Sequence, residues 1–383
     1  MKYQFILWFI CLSICSGCKK NNGLIQEIET ISIGPGEDST IQAIQFFRNI
    51  KIKNINNQII AYWINYKSNS FYIYNLTTNQ KYNFAPDSSI VRVIHQDIDY
   101  QLLSINEIGF YSSIDKQFFI LGGNGEIIRK IDFNECLSVN DQNITPFSFY
   151  LVPFIYLTNK IIFPCSYNSE IINDTESLKN YCKRDIAICF ITDKHKCSYF
   201  TYGQFPANYK TGNMYDQLIF NFCLNNRHEL IYSFAASDSV FVYSSEDGKF
   251  LQQHEAKRRF SKAFSAYDLS KLTDLNYYRQ FHLCNDFYGK IVYDQFRDLY
   301  YRVYKKEVSY LNDKGKIRSG SEIPWTLIIL DKDFIKIAEI EFDPSLYSSV
   351  HIIPAEQGVY ISHPFDYEQP DFSLKLSLLK FVL

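Results

Sequence analysis

From about residue 25 onward, apolar or aromatic runs of five to eight residues alternate with short polar turns. Ile59–Ile64 and Phe71–Leu76 are two such runs, and Thr77-Thr78-Asn79 turns the second into Gln80–Phe84. The phrase recurs at Gln117–Leu121, where a turn ending at Gly125 leads into Ile127–Phe133. It returns at Ile186–Ile191, with Asp193-Lys194 turning into Cys197–Phe200, and at Val240–Tyr243, with Glu246-Asp247-Gly248 before Phe250-Leu251. A later copy runs from Thr326 to Leu330, with Asp331-Lys332-Asp333 leading to Ile335–Ile340. Short β-branched and aromatic runs separated by Asn, Asp and Gly turns predict hairpins.

A further strand-like pair precedes most of these hairpins, as in Gln101–Ser104 with Ile108–Tyr111. Glu229–Ser233 and Gly289–Tyr293 are similar. Counted this way, five units of paired strands lie between residues 55 and 342, and a sixth runs from His351 to the C-terminus. Four-strand units with a loose period predict an all-β, six-bladed β-propeller. Seven blades, or two all-β domains side by side, are the alternatives. The early strand Glu27–Ile33 has no hairpin partner of its own and is expected to close the ring as the outer strand of the last blade. Insertions fall near residues 166–182, 253–275 and 305–321, and Ser261–Leu272 is the one helix-like stretch.

The N-terminus reads differently. Met1-Lys2 precedes an uncharged apolar run from Phe5 to Ile14, then Cys15-Ser16-Gly17-Cys18-Lys19-Lys20. A basic start, a short apolar run and small residues at a cleavage site are the parts of a secretory signal peptide. The run is shorter than the roughly 20 residues a membrane-crossing helix needs. Ser16-Gly17-Cys18 resembles a bacterial lipobox, which implies acylation of Cys18, although Cys15 stands where an aliphatic residue is usual. The expected organisation is a cleaved signal peptide over 1–17, a lipidated Cys18 with tether over 18–24, and a propeller over 25–383. The lipid makes a membrane the first expected partner. Lys-Lys-Asn-Asn after the cysteine, rather than an acidic stretch, favours the outer membrane with the body facing the periplasm.

Composition narrows the partners. The net charge is −2, so no basic domain offers itself to nucleic acid. Tyr (30) and Phe (32) are abundant, which suits half-buried strands and also interfaces. Seven cysteines follow the lipobox: Cys136, Cys165, Cys182, Cys189, Cys197, Cys223 and Cys284. An odd number cannot all pair within one chain. Cys189 and Cys197 flank a hairpin turn and are the best candidates for a disulfide, although buried free thiols acting as small hydrophobes are the favoured reading.

The lipobox, the unpaired early strand and Tyr293-Asp294-Gln295-Phe296-Arg297-Asp298-Leu299-Tyr300-Tyr301-Arg302 together resemble a family of Bacteroidota lipoproteins. The resemblance implies a TolB-like six-bladed propeller over essentially the whole mature chain, and no established catalytic residue. His282, Asp294, Tyr301 and Arg302 are the candidate ligand-binding residues, since propellers bind on inter-strand loops or in the central channel. Arg302 could fork onto a carboxylate, or pair with Asp294 or Asp298 to brace its hairpin. The seven histidines form no H-x-H or H-E-x-x-H spacing, so no metal site is expected. No P-loop, dinucleotide glycine pattern, EF-hand or nucleophile elbow is present, so no cofactor is expected. The functional expectation is a non-enzymatic binding or scaffold lipoprotein contacting an envelope protein or glycan. The alternative is a propeller enzyme acting on carbohydrate through two carboxylates.

Overall fold

Each strand–turn–strand phrase becomes a hairpin, and the hairpins associate in pairs into six antiparallel sheets. The computed structural model describes residues 25–35, 46, 47, 49–88, 90, 91, 98–138, 141–148, 152–167, 172, 174–193, 196–215, 218, 220–260, 262–365 and 373–382. The lipobox, Cys18, the tether and His195 lie outside the described residues.

Blade 1 holds β2 (Lys51–Ile55), β3 (Gln58–Asn65), β4 (Ser70–Asn75) and β5 (Gln80–Phe84). Blade 2 holds β6 (Ile98–Ser104), β7 (Glu107–Ser112), β8 (Gln117–Gly122) and β9 (Ile127–Asp132). In blade 3 the innermost strand is split into β10 (Ile144–Pro146) and β11 (Ile155–Leu157). Both pair with β12 (Lys160–Tyr167), which is followed by β13 (Asp185–Asp193) and β14 (Lys196–Gln204). Blade 4 holds β15 (Phe220–Leu224), β16 (Glu229–Phe234), β17 (Ser239–Ser244) and β18 (Phe250–Glu255). Blade 5 holds β19 (Phe287–Asp294), β20 (Leu299–Lys305), β21 (Trp325–Leu330) and β22 (Lys336–Phe342). Blade 6 holds β23 (Ser348–Ala355), β24 (Gly358–Ser362) and β25 (Leu374–Phe381), and is completed by β1 (Ile25–Ile33). The expected closure is therefore present: β1 pairs antiparallel with β25, Ile25 opposite Phe381 and Ile33 opposite Leu374. Thr30 and Ser377 hydroxyls meet across this junction at 2.9 Å.

The hydrophobic core is divided into six clusters, one in each seam between neighbouring blades. Because a strand's side chains alternate between faces, the two faces of one blade feed two different seams. Tyr232 packs toward blade 3 while Ile231 packs toward blade 5. This explains why the middle strands read as continuous apolar runs rather than polar–apolar alternations. Aromatic rings fill much of the seam volume, as in Phe133 stacked on Phe190 at 3.9 Å and Trp325 stacked on Phe342 at 4.2 Å. Each such buried side chain contributes about 1.5–3 kcal/mol.

Strict up-and-down order sends alternate connections to opposite faces of the ring. On one face the connections are two to five residues long, such as 56–57, 105–106, 158–159, 225–228 and 331–335. On the other lie the long excursions 34–50, 168–184, 205–219, 256–286, 306–324 and 363–373. Cations stitch the short-turn face together: Lys160 donates to the Glu246 carbonyl (3.1 Å) of the next blade, and Arg227 to that of Lys332 (3.2 Å). Gly125, at φ +83°, makes one of these turns, and a Cβ there would sit 2.1 Å from the Ala85 carbonyl oxygen.

Two sequence expectations are corrected. The helix of the 256–286 excursion is Leu275–Leu283 (α3), not Ser261–Leu272, because Asp274 caps it by accepting from the Asn276 and Tyr277 N–H groups. Shorter helices occur at Phe133–Cys136 (α1) and Thr175–Tyr181 (α2). The disulfide joins Cys197 to Cys136, not to Cys189, which is a buried free thiol. In the β13–β14 register Cys197 lies opposite Thr192, three positions from Cys189. An odd offset puts Cys189 on the opposite face, in the seam with blade 4, whereas Cys197 packs in the seam with blade 2.

Candidate functional site

Burial changes abruptly at the innermost strands. The second strands of the blades are almost wholly buried, but β2, β11 and most of β15 consist of half-accessible residues. Accessibility on strands that sit at the axis places these residues along a solvent-accessible central channel. Onto it the chain places Lys51 and Lys53 from β2, Asp99 from β6, Lys290 from β19 and His351 from β23.

These groups fall on the seams. At the junction of blades 1 and 2, Lys51 forms an ion pair with Asp99 and donates to the Tyr100 carbonyl at 2.7 Å. Asp99 also accepts from Ser148, which lies in the excursion that splits the inner strand of blade 3. Ser148 accepts in turn from the Phe154 N–H (2.8 Å), so one network spans three blades. Deeper in the channel, Lys53 donates to the Leu102 carbonyl at 2.9 Å. At the junction of blades 5 and 6, Lys290 donates to the Val350 carbonyl at 2.8 Å. Between these two seams, Asn54 Nδ2 donates to the Pro354 carbonyl at 3.0 Å while its Oδ1 is buried with no donor among the described residues. Burial lowers Lys53 to about 8, and burial together with nearby Lys305 lowers Lys290 to about 8. Burial, and then the charge of Lys290, lower His351 to about 3. Its imidazole is therefore neutral at physiological pH.

That depression sets a pH dependence. Between about pH 6.5 and 3 the unfolded chain takes up a proton at residue 351 that the folded chain does not, so this group's contribution to stability falls as pH falls through the window. We expect His351→Asn to flatten the pH 7 to 4 stability profile by an amount on the order of a few kcal/mol, read from denaturant midpoints. An unchanged slope would contradict the assignment.

The residues singled out in sequence separate into different places. Arg302 is fully buried in the seam between blades 4 and 5. It donates to the Ser233 hydroxyl (3.0 Å) and to the carbonyls of Ala256 (2.9 Å), Ser237 (2.6 Å) and Ser239 (3.3 Å). Its guanidinium lies 3.6 Å from the Tyr288 ring centroid. It braces blade 4 and makes no ion pair with Asp294 or Asp298 among the described residues. Asp294 and Tyr301 face the other seam. The Tyr301 hydroxyl donates to Asp294 at 2.6 Å, and Arg297 Nε pairs with the same carboxylate at 2.8 Å. Arg297 then reaches the Ala355 (2.9 Å) and Gly358 (2.6 Å) carbonyls of blade 6. His282 sits near the end of α3, its ring 4.6 Å from that of Phe287. It lines a cleft of about 310 Å³ with Tyr278, Arg279, Ile317 and Arg318, on the long-loop face. Among the described residues no three His, Cys, Asp or Glu side chains converge as a metal site.

Sequence reasoning passed over Lys53, Lys290 and His351. The available clue was Lys51-Ile52-Lys53, two cations on one face of a strand whose neighbours are core.

Residues 113–341, more than half of the chain, match the profile of a family described as a domain of unknown function, DUF4221. The chain is similar to the crystal structure of a DUF4221 member from Bacteroides vulgatus, at 14% identity and a TM-score of 0.69. That alignment covers 94% of this chain and 98% of the other. A luciferin-regenerating enzyme aligns at 8% identity and a TM-score of 0.43, over 91% and 95% of the two chains. The WD40 repeats of RRP9 align at 8% identity and 0.41, over 86% and 79%. Likeness at that level carries no argument about function. No curated protein matches the sequence. On the family profile the conclusion is direct: this six-bladed propeller belongs to the DUF4221 family.

Proposed function

We propose that the chain is a lipoprotein of the cell envelope, acylated at Cys18, whose TolB-like propeller serves as a non-enzymatic binding or scaffold module for an envelope protein or glycan. The observation that carries this reading is the placement of β1. Its first residue, Ile25, lies opposite Phe381 at the short-turn face, while all the long excursions leave from the opposite face. Six residues lie between Cys18 and Ile25, so the seven Cα-to-Cα steps reach at most about 25 Å. A membrane holding Cys18 would therefore meet the stitched, short-turn face, and the variable loops would point outward toward a partner.

Three further features support it. The two most exposed large apolar side chains among the described residues, Phe260 and Leu275, each 73% accessible, both lie on the 256–286 excursion. Exposed apolar groups on a loop-rich face suit a contact surface. The Cys136–Cys197 disulfide is a cross-link that persists in oxidising compartments outside the cytosol. The carboxylates at the two ends of the inner strands, Asp99 and Asp294, are engaged by Lys51 and Arg297, which suits bracing better than proton transfer.

The test is Cys18→Ala in the full chain. Wild type should fractionate with membranes and take up labelled fatty acid, and the variant should take up none and move to the soluble fraction, since the acyl chains supply the stable hold on the bilayer. Unchanged partitioning would remove the anchor from the proposal.

A further inference from the structure

The ammonium groups of Lys53 and Lys290 are the least explained feature of the molecule. An ammonium carries three N–H donors, and among the described residues each of these two makes one hydrogen bond, to a single carbonyl. Lys51, by contrast, has its carboxylate partner in Asp99. Among the described residues neither Lys53 nor Lys290 has an ion-pair partner within 4.0 Å. The inner strands thus carry three ammonium groups and two carboxylates, Asp99 and Asp294, both already engaged. His351 is neutral there and so adds no further positive charge. Removing a cation from bulk water without a counter-charge is costly. An apolar side chain of similar length would fill either position at less cost to folding.

We propose that the central channel is a binding site for a small oxyanion, a carboxylate or phosphate group, held by the ammonium groups of Lys53 and Lys290. The two lysines lie on seams separated by one blade junction, and at that junction the Asn54 side chain offers an unused acceptor. The preferred ligand is thus an anion that also carries a hydroxyl donor for Asn54 Oδ1. Both lysines are partly accessible, which supplies the route in. Binding would raise the affinity of both amines for their protons, reversing the lowering that burial imposes.

The site deepens the binding-module reading, and its test is independent of acylation and of membrane partitioning. Inorganic phosphate is titrated calorimetrically into the full-length chain in neutral detergent near pH 7, against sodium chloride at matched ionic strength. Saturable uptake of one phosphate is expected, together with a rise in Tm of about 3–6 °C that chloride does not reproduce. Lys53→Met and Lys290→Met should each weaken binding about 10- to 100-fold. Lys249→Met, on the short-turn face, should leave it unchanged. Acetate in place of phosphate separates the two ligand chemistries, and binding of either at these lysines supports the site. Wild-type protein that takes up neither anion overturns the proposal, whether or not the methionine variants fold. Uptake that survives both methionine substitutions overturns it equally.

Discussion

Replacing Arg302 by methionine will lower the unfolding free energy by about 3–5 kcal/mol, and with it the Tm by roughly 5–10 °C. The side chain donates to one hydroxyl and several backbone carbonyls around the 235–238 connection and the start of the 256–286 excursion. Methionine fills comparable volume but leaves those carbonyls buried and unpaired, at about 1–3 kcal/mol each. It also forfeits the contact with Tyr288, worth about 2 kcal/mol when desolvated. The opposing effect is relief from burying a charge: burial lowers Arg302 to about 10, which leaves it protonated at neutral pH. Geometry decides the balance. A planar fork that meets several carbonyls of blade 4 at once recovers more than a point charge could, so Arg302→Lys should rescue little. Chemical denaturation of the two variants checks this, and a methionine variant as stable as wild type would show that desolvation outweighs the carbonyl contacts.

The second large effect belongs to the disulfide. Cys136 and Cys197 are 61 positions apart, and their bond ties the α1 connection after blade 2 to the outer strand of blade 3. Closing a loop of that size in the unfolded chain is worth about 3–4 kcal/mol. Reduction, or Cys197→Ser, should shift the denaturant midpoint by that amount, while reductant should have no further effect on Cys197→Ser. The adjoining contacts, Tyr199 with Asp141 and with the Ser138 N–H, keep the junction closed but should not compensate. Non-reducing peptide maps should recover 136 linked to 197, and a 189–197 peptide would refute the pairing.

The architecture was readable because hairpins announce themselves locally. Asn56, Asn57 and Asn79 take up positive φ in the short turns, where their side chains tolerate what most residues do not. The partner of β1 was readable for a different reason: a strand with no neighbouring hairpin needs an edge, and a ring of blades offers one. What stayed hidden depends on which blade faces which side chain. Tyr301 and Arg302 are adjacent in sequence but serve different seams, and Arg302 reaches partners 46 to 69 positions away. The Cys136–Cys197 pairing is likewise an inter-blade fact. The channel lysines escaped notice because local reading treats a charged residue in a strand as solvent-facing, whereas at the axis of a ring it faces its counterparts.

The pairing of β1 with β25 also governs the order of events during folding. Thr30 and Ser377 stand 347 positions apart, so the first strand to emerge is among the last to find its place. Contacts of such separation carry a large loop-closure cost and slow the final step. Until it is made, β25 presents an open hydrogen-bonding edge to any other extended chain. If Cys18 is already acylated at that stage, the waiting strand is held at a membrane, where neighbouring copies are crowded. The closing segment would then be the step at which correct maturation competes with aggregation, and β1 the strand whose loss a quality-control protease would detect first.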